Sequence, residues 1–219
     1  MSTRLPVIFD LDGTLISSAP DIREGLNAAL EEVGAGPLDL PTVVSFIGWG
    51  LPRLVEQAAD HLRLDRAGLP ALTDRTMHHY KALSGSRTAL FPGVAEVLAE
   101  LAGAGHPLAL CTNKPAAATI EVLAHLGLSE TFASVVCGDS LLTRKPDPEM
   151  LRLSLSELGA GHAVYVGDSE IDAETAERAG LPFALFTEGY RHCAVEEMTH
   201  AAAFDDFAAL PGIVAQLAG

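Results

Sequence analysis

The 219-residue sequence predicts an α/β fold, a doubly wound parallel sheet interrupted by an all-α insertion. Three observations predict it. Short apolar runs that stop abruptly in polar or glycine-containing loops recur along the chain. Segments with apolar residues three and four apart lie between those runs. One long stretch near the start breaks the alternation and contains helix-like segments only.

The first run, residues 5–9 (Leu-Pro-Val-Ile-Phe), ends in Asp10-Leu11-Asp12-Gly13 and reads as a buried strand and its loop. From Ser17 to about Arg87 there is no strand pattern, and residues 21–32, 51–62 and 73–83 read as helices. We therefore expect residues 1–16 and 88–219 to form an α/β core and residues 17–87 a helical subdomain. The short segments Ile16-Ser17-Ser18 and Ser84-Gly85-Ser86, each rich in small residues, are the expected hinge crossings. Beyond them the alternation resumes, with strands at 107–111, 134–137, 163–166 and 182–186. Helices are expected at 92–102, 115–126, 148–158 and 171–179. Three of these open on Pro92, Pro115 and Pro148, which suits a first helical turn. Strand–helix–strand units of this kind make parallel sheets with right-handed crossovers.

Composition narrows the function. Asp and Glu number 29 against 14 Lys and Arg, a formal charge of −15, which disfavours nucleic acid and anionic membrane surfaces as partners. A content of 48% hydrophobic and 20% charged residues is that of a globular protein, and with aromatics at 5% the core must come mainly from Leu, Val, Ile and Ala. Three cysteines without C-x-x-C spacing argue against a disulfide framework or zinc site and fit a reducing compartment. Cys111 and Cys137 end apolar runs and read as small buried hydrophobes. No stretch approaches the roughly 18 apolar residues of a membrane span, and no signal-peptide pattern is present, so a soluble, cytoplasmic protein is expected. Lysine is used only three times, at Lys81, Lys114 and Lys145, which makes each position worth explaining.

In a parallel sheet, ligands bind beyond the carboxyl ends of the strands. Asp10, Asp12, Gly13 and Thr14 follow the first run, and Thr112, Asn113 and Lys114 the second. Arg144 and Lys145 come shortly after the third, and Gly167, Asp168 and Asp172 follow the fourth. These are the parts of phosphoryl-transfer chemistry. A phosphate monoester dianion repels a carboxylate nucleophile, so attack by Asp10 needs positive charge close by. Mg²⁺ prefers oxygen ligands, and Asp10 and Asp168, with the backbone carbonyl of Asp12, are its natural ligands. Lys145 would offset charge on the transferring group. Thr112 and backbone N–H groups near Gly13 and Asn113 would donate to phosphate oxygens. Asp12, two residues past the nucleophile, would protonate the leaving group and then activate water.

The segments Phe9-Asp10-Leu11-Asp12-Gly13-Thr14-Leu15, Cys111-Thr112-Asn113-Lys114, Arg144-Lys145-Pro146-Asp147-Pro148 and Val166-Gly167-Asp168-Ser169, with Asp172, resemble the four motifs of the haloacid dehalogenase superfamily. The resemblance covers essentially the whole chain. It implies a Rossmann-like core with a C1-type helical cap, Asp10 as nucleophile and Asp12 as general acid and base. It also implies Mg²⁺ held by Asp10, Asp12 and Asp168, phosphate bound by Thr112 and Lys145, and Asp172 supporting the metal through water. The dehalogenases of this group lack an acid at the place of Asp12, which points to phosphate hydrolysis instead. Within the superfamily, residues 10–22, 46–58, 91–94 and 138–148 are most similar to hydrolases of 2-phosphoglycolate. Another small phosphate ester, pyrophosphate or a sugar phosphomutase reaction remain alternatives. The expected partner is a small phosphorylated metabolite.

Substrate choice is expected to come from the insertion. Gly48-Trp49-Gly50-Leu51-Pro52-Arg53 describes a flexible loop ahead of a helix, able to descend onto the site. Arg53 is the candidate for a substrate carboxylate, because a guanidinium matches a carboxylate at two points. Trp49 would anchor the subdomain core or close over substrate. His78, His79 and His192 have no spacing that makes a metal set.

Overall fold

The computed structural model describes residues 4–83 and 86–218, so Ser84 and Gly85 of the second expected crossing lie outside the described residues. Strand β1 (Val7–Phe9) leads into β2 (Ile16–Ser17). Helices α1 (Ala19–Glu32), α2 (Leu40–Val44), α3 (Leu51–Leu62) and α4 (Leu69–Leu83) come next without an intervening strand. The chain returns through β3 (Ala89–Leu90), α5 (Val94–Gly103), β4 (Leu108–Cys111), α6 (Ala116–His125) and β5 (Ser134–Val136). It continues with α7 (Glu149–Glu157), β6 (Val164–Gly167), α8 (Glu170–Ala179), β7 (Phe183–Phe186), β8 (Ala202–Phe204) and α9 (Leu210–Leu217).

Six strands form one parallel sheet in the order β5-β4-β1-β6-β7-β8. In β1, Val7 sits opposite Leu108 of β4 on one side and Val164 of β6 on the other. Alternate residues feed two layers, as the two-residue repeat of a strand requires. Val7, Phe9, Leu110 and Val166 pack with Val97 of α5, Val122 of α6 and Val214 of α9. Ile8, Ala109 and Tyr165 pack with Met150 of α7 and Ala176 of α8. Both faces are therefore covered, which is why the strands read as continuous apolar runs. The chain winds outward from β1 to β5 and then crosses to β6 on the other side. The winding reverses at β1, which opens a crevice beyond the carboxyl ends of β1, β4 and β6.

The four inserted helices have their own core, including Leu26, Leu30, Val43, Val55 and Tyr80, to which Ala118 and Tyr190 contribute from outside the insertion. Gly25, inside α1, lets α4 approach closely: a Cβ there would lie 2.9 Å from the Cα and N of Tyr80.

The junction differs from expectation. Ser17 belongs to a strand, because β2 pairs antiparallel with β3, Ile16 opposite Leu90. Strands of two residues carry no periodicity, so the sequence pattern does not reveal them. The fully buried Asp21 of α1 accepts hydrogen bonds from the backbone N–H groups of Arg87 and Thr88 and from the hydroxyls of Ser86 and Thr88. The returning segment is thereby clipped to the first inserted helix.

A second tie lies on the far side. His192, in the loop after β7, pairs through Nδ1 with Glu170 at the start of α8, and the carbonyls of Val44 and Ser45 at the end of α2 face its ring. The hydrogen bond to Glu170 raises the imidazole above its usual range, against a smaller opposing effect of burial. A raised folded-state value means that the stabilisation is fully present below the unfolded value of about 6.5 and is lost as pH rises through the folded one. With the side chain 28% exposed, solvent screening limits the effect, and we expect His192→Ala to remove at most about 1 kcal/mol of stability at pH 6 and less at pH 8. Urea unfolding of both proteins at the two pH values checks this; equal differences at both would sink it.

Candidate active site

The first strand delivers Asp10, whose N–H donates to the Val166 carbonyl at 2.9 Å and so fixes it beside β6. The turn after it is shaped by Gly13, at φ +91°, where a Cβ would lie 2.3 Å from Asp168 Oδ2. Only glycine fits there. Its N–H closes the loop onto the Ile16 carbonyl, and Gly13 does not line the cavity into which Asp10 and Asp12 face. At this position the glycine makes room for an acid.

That acid is Asp168, at the end of β6. Its Oδ1 accepts from Thr14 Oγ1 at 2.7 Å and its Oδ2 from the Tyr190 N–H at 2.6 Å. Asp172 sits one turn into α8, where it forms a capping box with Ser169. Its Oδ1 accepts from Lys145 Nζ at 2.7 Å and from the Tyr165 hydroxyl at 2.6 Å, and its Oδ2 from Ser169 Oγ at 2.6 Å. Asp10, Asp168 and Asp172 each present a carboxylate oxygen within 4.8 Å of the others.

Three buried acids at this spacing are mutually repulsive. Burial, reinforced by Asp172 and opposed by Lys145, pushes the Asp10 carboxyl up to about 7. Burial, with Asp172 and Asp10 adding to it, holds Asp168 well above the usual carboxylate range. For Asp172 burial acts upward too, but the Lys145 charge and the hydrogen bonds from Lys145, Ser169 and Tyr165 outweigh it and hold the group low. Asp10 Oδ1 lies 2.8 Å from Lys145 Nζ yet has no aligned hydrogen bond, so this buried oxygen lacks a proper donor. Two acids held above their usual range and an orphaned oxygen fit a divalent cation with a preference for oxygen ligands. The side chain of Asp12 is outside this cluster.

Lys145 is 4% exposed and also reaches the Tyr165 hydroxyl at 3.0 Å. Its backbone is held by Asn113, whose Oδ1 accepts from the Lys145 N–H at 3.0 Å. Asn113 Nδ2 donates to the carbonyls of Lys145 and, at 3.1 Å, of Gly48 in the insertion. The Asn113 side chain therefore ties loops together. Thr112 Oγ1 accepts from the Lys114 N–H at 3.2 Å. Asp12 is gripped by Lys114, with Nζ 2.9 and 3.0 Å from its two oxygens, and by the Ser18 hydroxyl. The Tyr190 hydroxyl in turn accepts from the N–H groups of Ser18 and Ala19.

One cavity collects these groups. Asp10, Asp12, Thr112, Asn113, Lys114 and Lys145 line it below, and Gly48, Gly50, Leu51, Leu54 and Tyr80 are among its walls above. The glycine loop does descend onto the site, as its composition suggested. Arg53 does not: its side chain is 52% exposed, pairs with Glu56 and is not on the cavity wall. The reason is helical spacing. Leu51 and Leu54, three apart on α3, face inward, which turns Arg53 away. Trp49 is exposed and is not on the wall either. Sequence reasoning missed the support that Tyr165, Tyr190 and Ser18 give the acids, because it depends on tertiary contacts. The scarcity of lysine did single out Lys114, without revealing its partner.

The family of haloacid dehalogenase-like hydrolases matches the chain over residues 7–186. The phosphoglycolate phosphatase of Cereibacter sphaeroides (strain ATCC 17029 / ATH 2.4.9) is 45% identical over 213 residues, covering 96% of this chain and 98% of that protein. That of Rhodobacter capsulatus is 46% identical over 210 residues, 95% of each. Among solved structures, a "predicted phosphoglycolate phosphatase from Haemophilus somnus 129pt" aligns with a TM-score of 0.92 at 29% identity, over 97% of this chain and 99% of that one. CbbY from Rhodobacter sphaeroides, solved with phosphate, aligns with a TM-score of 0.80 at 24% identity over 94% of this chain and 96% of that one, a likeness of fold alone. Among the described residues, no helix is long and apolar enough to cross a membrane.

Proposed function

The chain belongs to the haloacid dehalogenase-like hydrolases, and from that premise we propose that it is a Mg²⁺-dependent phosphatase that hydrolyses 2-phosphoglycolate to glycolate and phosphate through an aspartyl-phosphate on Asp10. The observation that carries the reading is one constellation. Asp10, Asp12, Thr112 and Lys145 line a single cavity, and Asp168 and Asp172 meet Asp10 behind it. The named activity of relatives such as those from C. sphaeroides and R. capsulatus supports the choice of ester. The free cysteines, two of them buried, fit a reducing cytoplasm.

A divalent cation, bound by Asp10 and Asp168 with Asp172 beside them and the Asp12 carbonyl as a further ligand, would supply positive charge to the phosphate oxygens. The chain's own groups do the rest. Lys145, fixed by Asp172 and Tyr165, keeps a second positive charge against Asp10. The Thr112 hydroxyl donates to a phosphate oxygen and so holds the phosphorus over Asp10. An Asp10 carboxylate oxygen attacks phosphorus, the P–O ester bond breaks, and the departing glycolate oxygen takes a proton from Asp12. Asp12 then takes a proton from water as that water attacks the phosphorus and returns Asp10. Lys114 and Ser18 orient Asp12 for both transfers. Residues 17–87 act as the cap that excludes bulk water, with the glycine loop tied down through Asn113.

A substrate panel with and without Mg²⁺ tests the proposal. Phosphoglycolate should be hydrolysed fastest, and chelation should cut the rate by about a hundredfold or more. A sugar phosphate or pyrophosphate overtaking phosphoglycolate would overturn the substrate, and label transfer within one sugar without phosphate release would overturn hydrolysis.

A further inference from the structure

If phosphoglycolate is the substrate, its phosphate lies over Asp10 and its carboxylate needs a second anchor. An anion entering this cavity meets the carboxyl groups of Asp10 and Asp12, so an unopposed carboxylate would be repelled. Among the described residues, two cationic side chains are on the cavity wall, Lys114 and Lys145. Lys145 is already committed to Asp10, Asp172 and Tyr165. Arg53 faces solvent. That leaves Lys114.

Lys114 is 6% exposed, and its Nζ lies 4.8 Å from the ring centroid of Tyr80, a residue of the inserted helix α4. The Tyr80 hydroxyl is buried beside the Lys114 ammonium, makes no well-aligned hydrogen bond among the described residues and so keeps its proton free to donate, and Tyr80 lines the same cavity. A buried hydroxyl left unpaired is costly unless something arrives to use it. Beside it, Gly50 and Leu51 bring the start of α3 to the cavity wall, and no side chain caps that helix end. Its partial positive charge acts in the same direction as the lysine.

We propose that Lys114 and Tyr80 form the binding site for the substrate carboxylate, the ammonium donating from the core and the phenol from the cap. This rests on the phosphoglycolate reading and adds to it the residues that select a two-carbon acid over a neutral ester of the same length. Because Tyr80 belongs to the insertion and Lys114 to the core, the carboxylate would bridge the two parts. Lys114 also grips Asp12, so the residue that recognises the substrate tail is in contact with the one that handles the proton.

The test compares phosphoglycolate with 2-hydroxyethyl phosphate, which carries a neutral alcohol in place of the carboxylate. For Tyr80→Phe, the ratio of kcat/KM between the two esters should fall by about tenfold or more, and for Lys114→Met by more still. The phenyl ring preserves the packing against Gly25 in the first variant. Glycolate as a competitive inhibitor of 2-hydroxyethyl phosphate hydrolysis gives a second readout, its inhibition constant rising by a similar factor in both variants. Equal losses on the two esters, or unchanged glycolate inhibition, would overturn the proposal. A wild-type enzyme that does not prefer phosphoglycolate, yet loses glycolate inhibition in both variants, would overturn the substrate and leave the carboxylate site standing.

Discussion

Replacing Asp10 with asparagine should lower kcat on phosphoglycolate by at least about a thousandfold while leaving the metal-free protein no less stable. The amide nearly preserves shape but removes the nucleophilic carboxylate. It also removes one of three acids whose oxygens lie within 4.8 Å of each other. The wild-type carboxyl is pushed up to about 7, chiefly by burial, so above that pH the folded protein holds an ionised group it disfavours. That elevation is what remains after the Lys145 ion pair has opposed it, so asparagine removes a net penalty. Activity and stability should therefore separate. The measurements are kcat with Mg²⁺ present and the thermal midpoint without it, both at pH 8. More than a few per cent of activity, once deamidation is excluded, would remove Asp10 from the nucleophile's role.

For Lys145→Met the larger effect falls on stability. Lys145 is 4% exposed, and its ammonium lies 2.8 Å from Asp10, 2.7 Å from Asp172 and 3.0 Å from the Tyr165 hydroxyl. Burial alone would lower its basicity, yet the charges of Asp10 and Asp172 hold it above the usual lysine range. Removing it strands buried acids without compensation, which costs about 3–5 kcal/mol. In a chain of this size that is a fall of roughly 10 °C in the thermal midpoint. Added Mg²⁺ should recover part of the loss, since a cation at the same acids replaces some of the missing charge. A fall below about 1 kcal/mol would show that the acids rely on something other than this lysine.

The core strands and most helices were legible because a sheet covered on both faces turns each strand into an unbroken apolar run, as in Val7-Ile8-Phe9. The polar residues just beyond these runs were legible too, since Asp10, Thr112, Lys145 and Asp168 come together at one end of the sheet. Elements built on other physics were not. The pair β2–β3 is two residues per strand, β8 is Ala-Ala-Phe, and α9 carries both a proline and a glycine in eight residues. The direction of Arg53 depends on helical phase, which residue type does not carry: one turn of α3 decides which of Leu51, Arg53 and Leu54 faces the cavity. The pairing of Lys114 with Asp12 spans 102 positions in sequence, beyond the reach of local pattern.

The antiparallel pairing of Ile16 with Leu90 also bears on how the chain finds its fold. Val7 and Leu108 are neighbours in the sheet although roughly a hundred residues separate them. Contacts at such separation are slow to form, because the intervening chain must be drawn in first. Once the inserted helices have packed on one another and Asp21 has captured the returning segment, the ends of the insertion lie side by side. The loop that β1 and β4 must then close is only about thirty residues long, which lowers its entropic cost by about 1 kcal/mol. Early collapse of the insertion would therefore bring the central strands of the sheet into reach of each other.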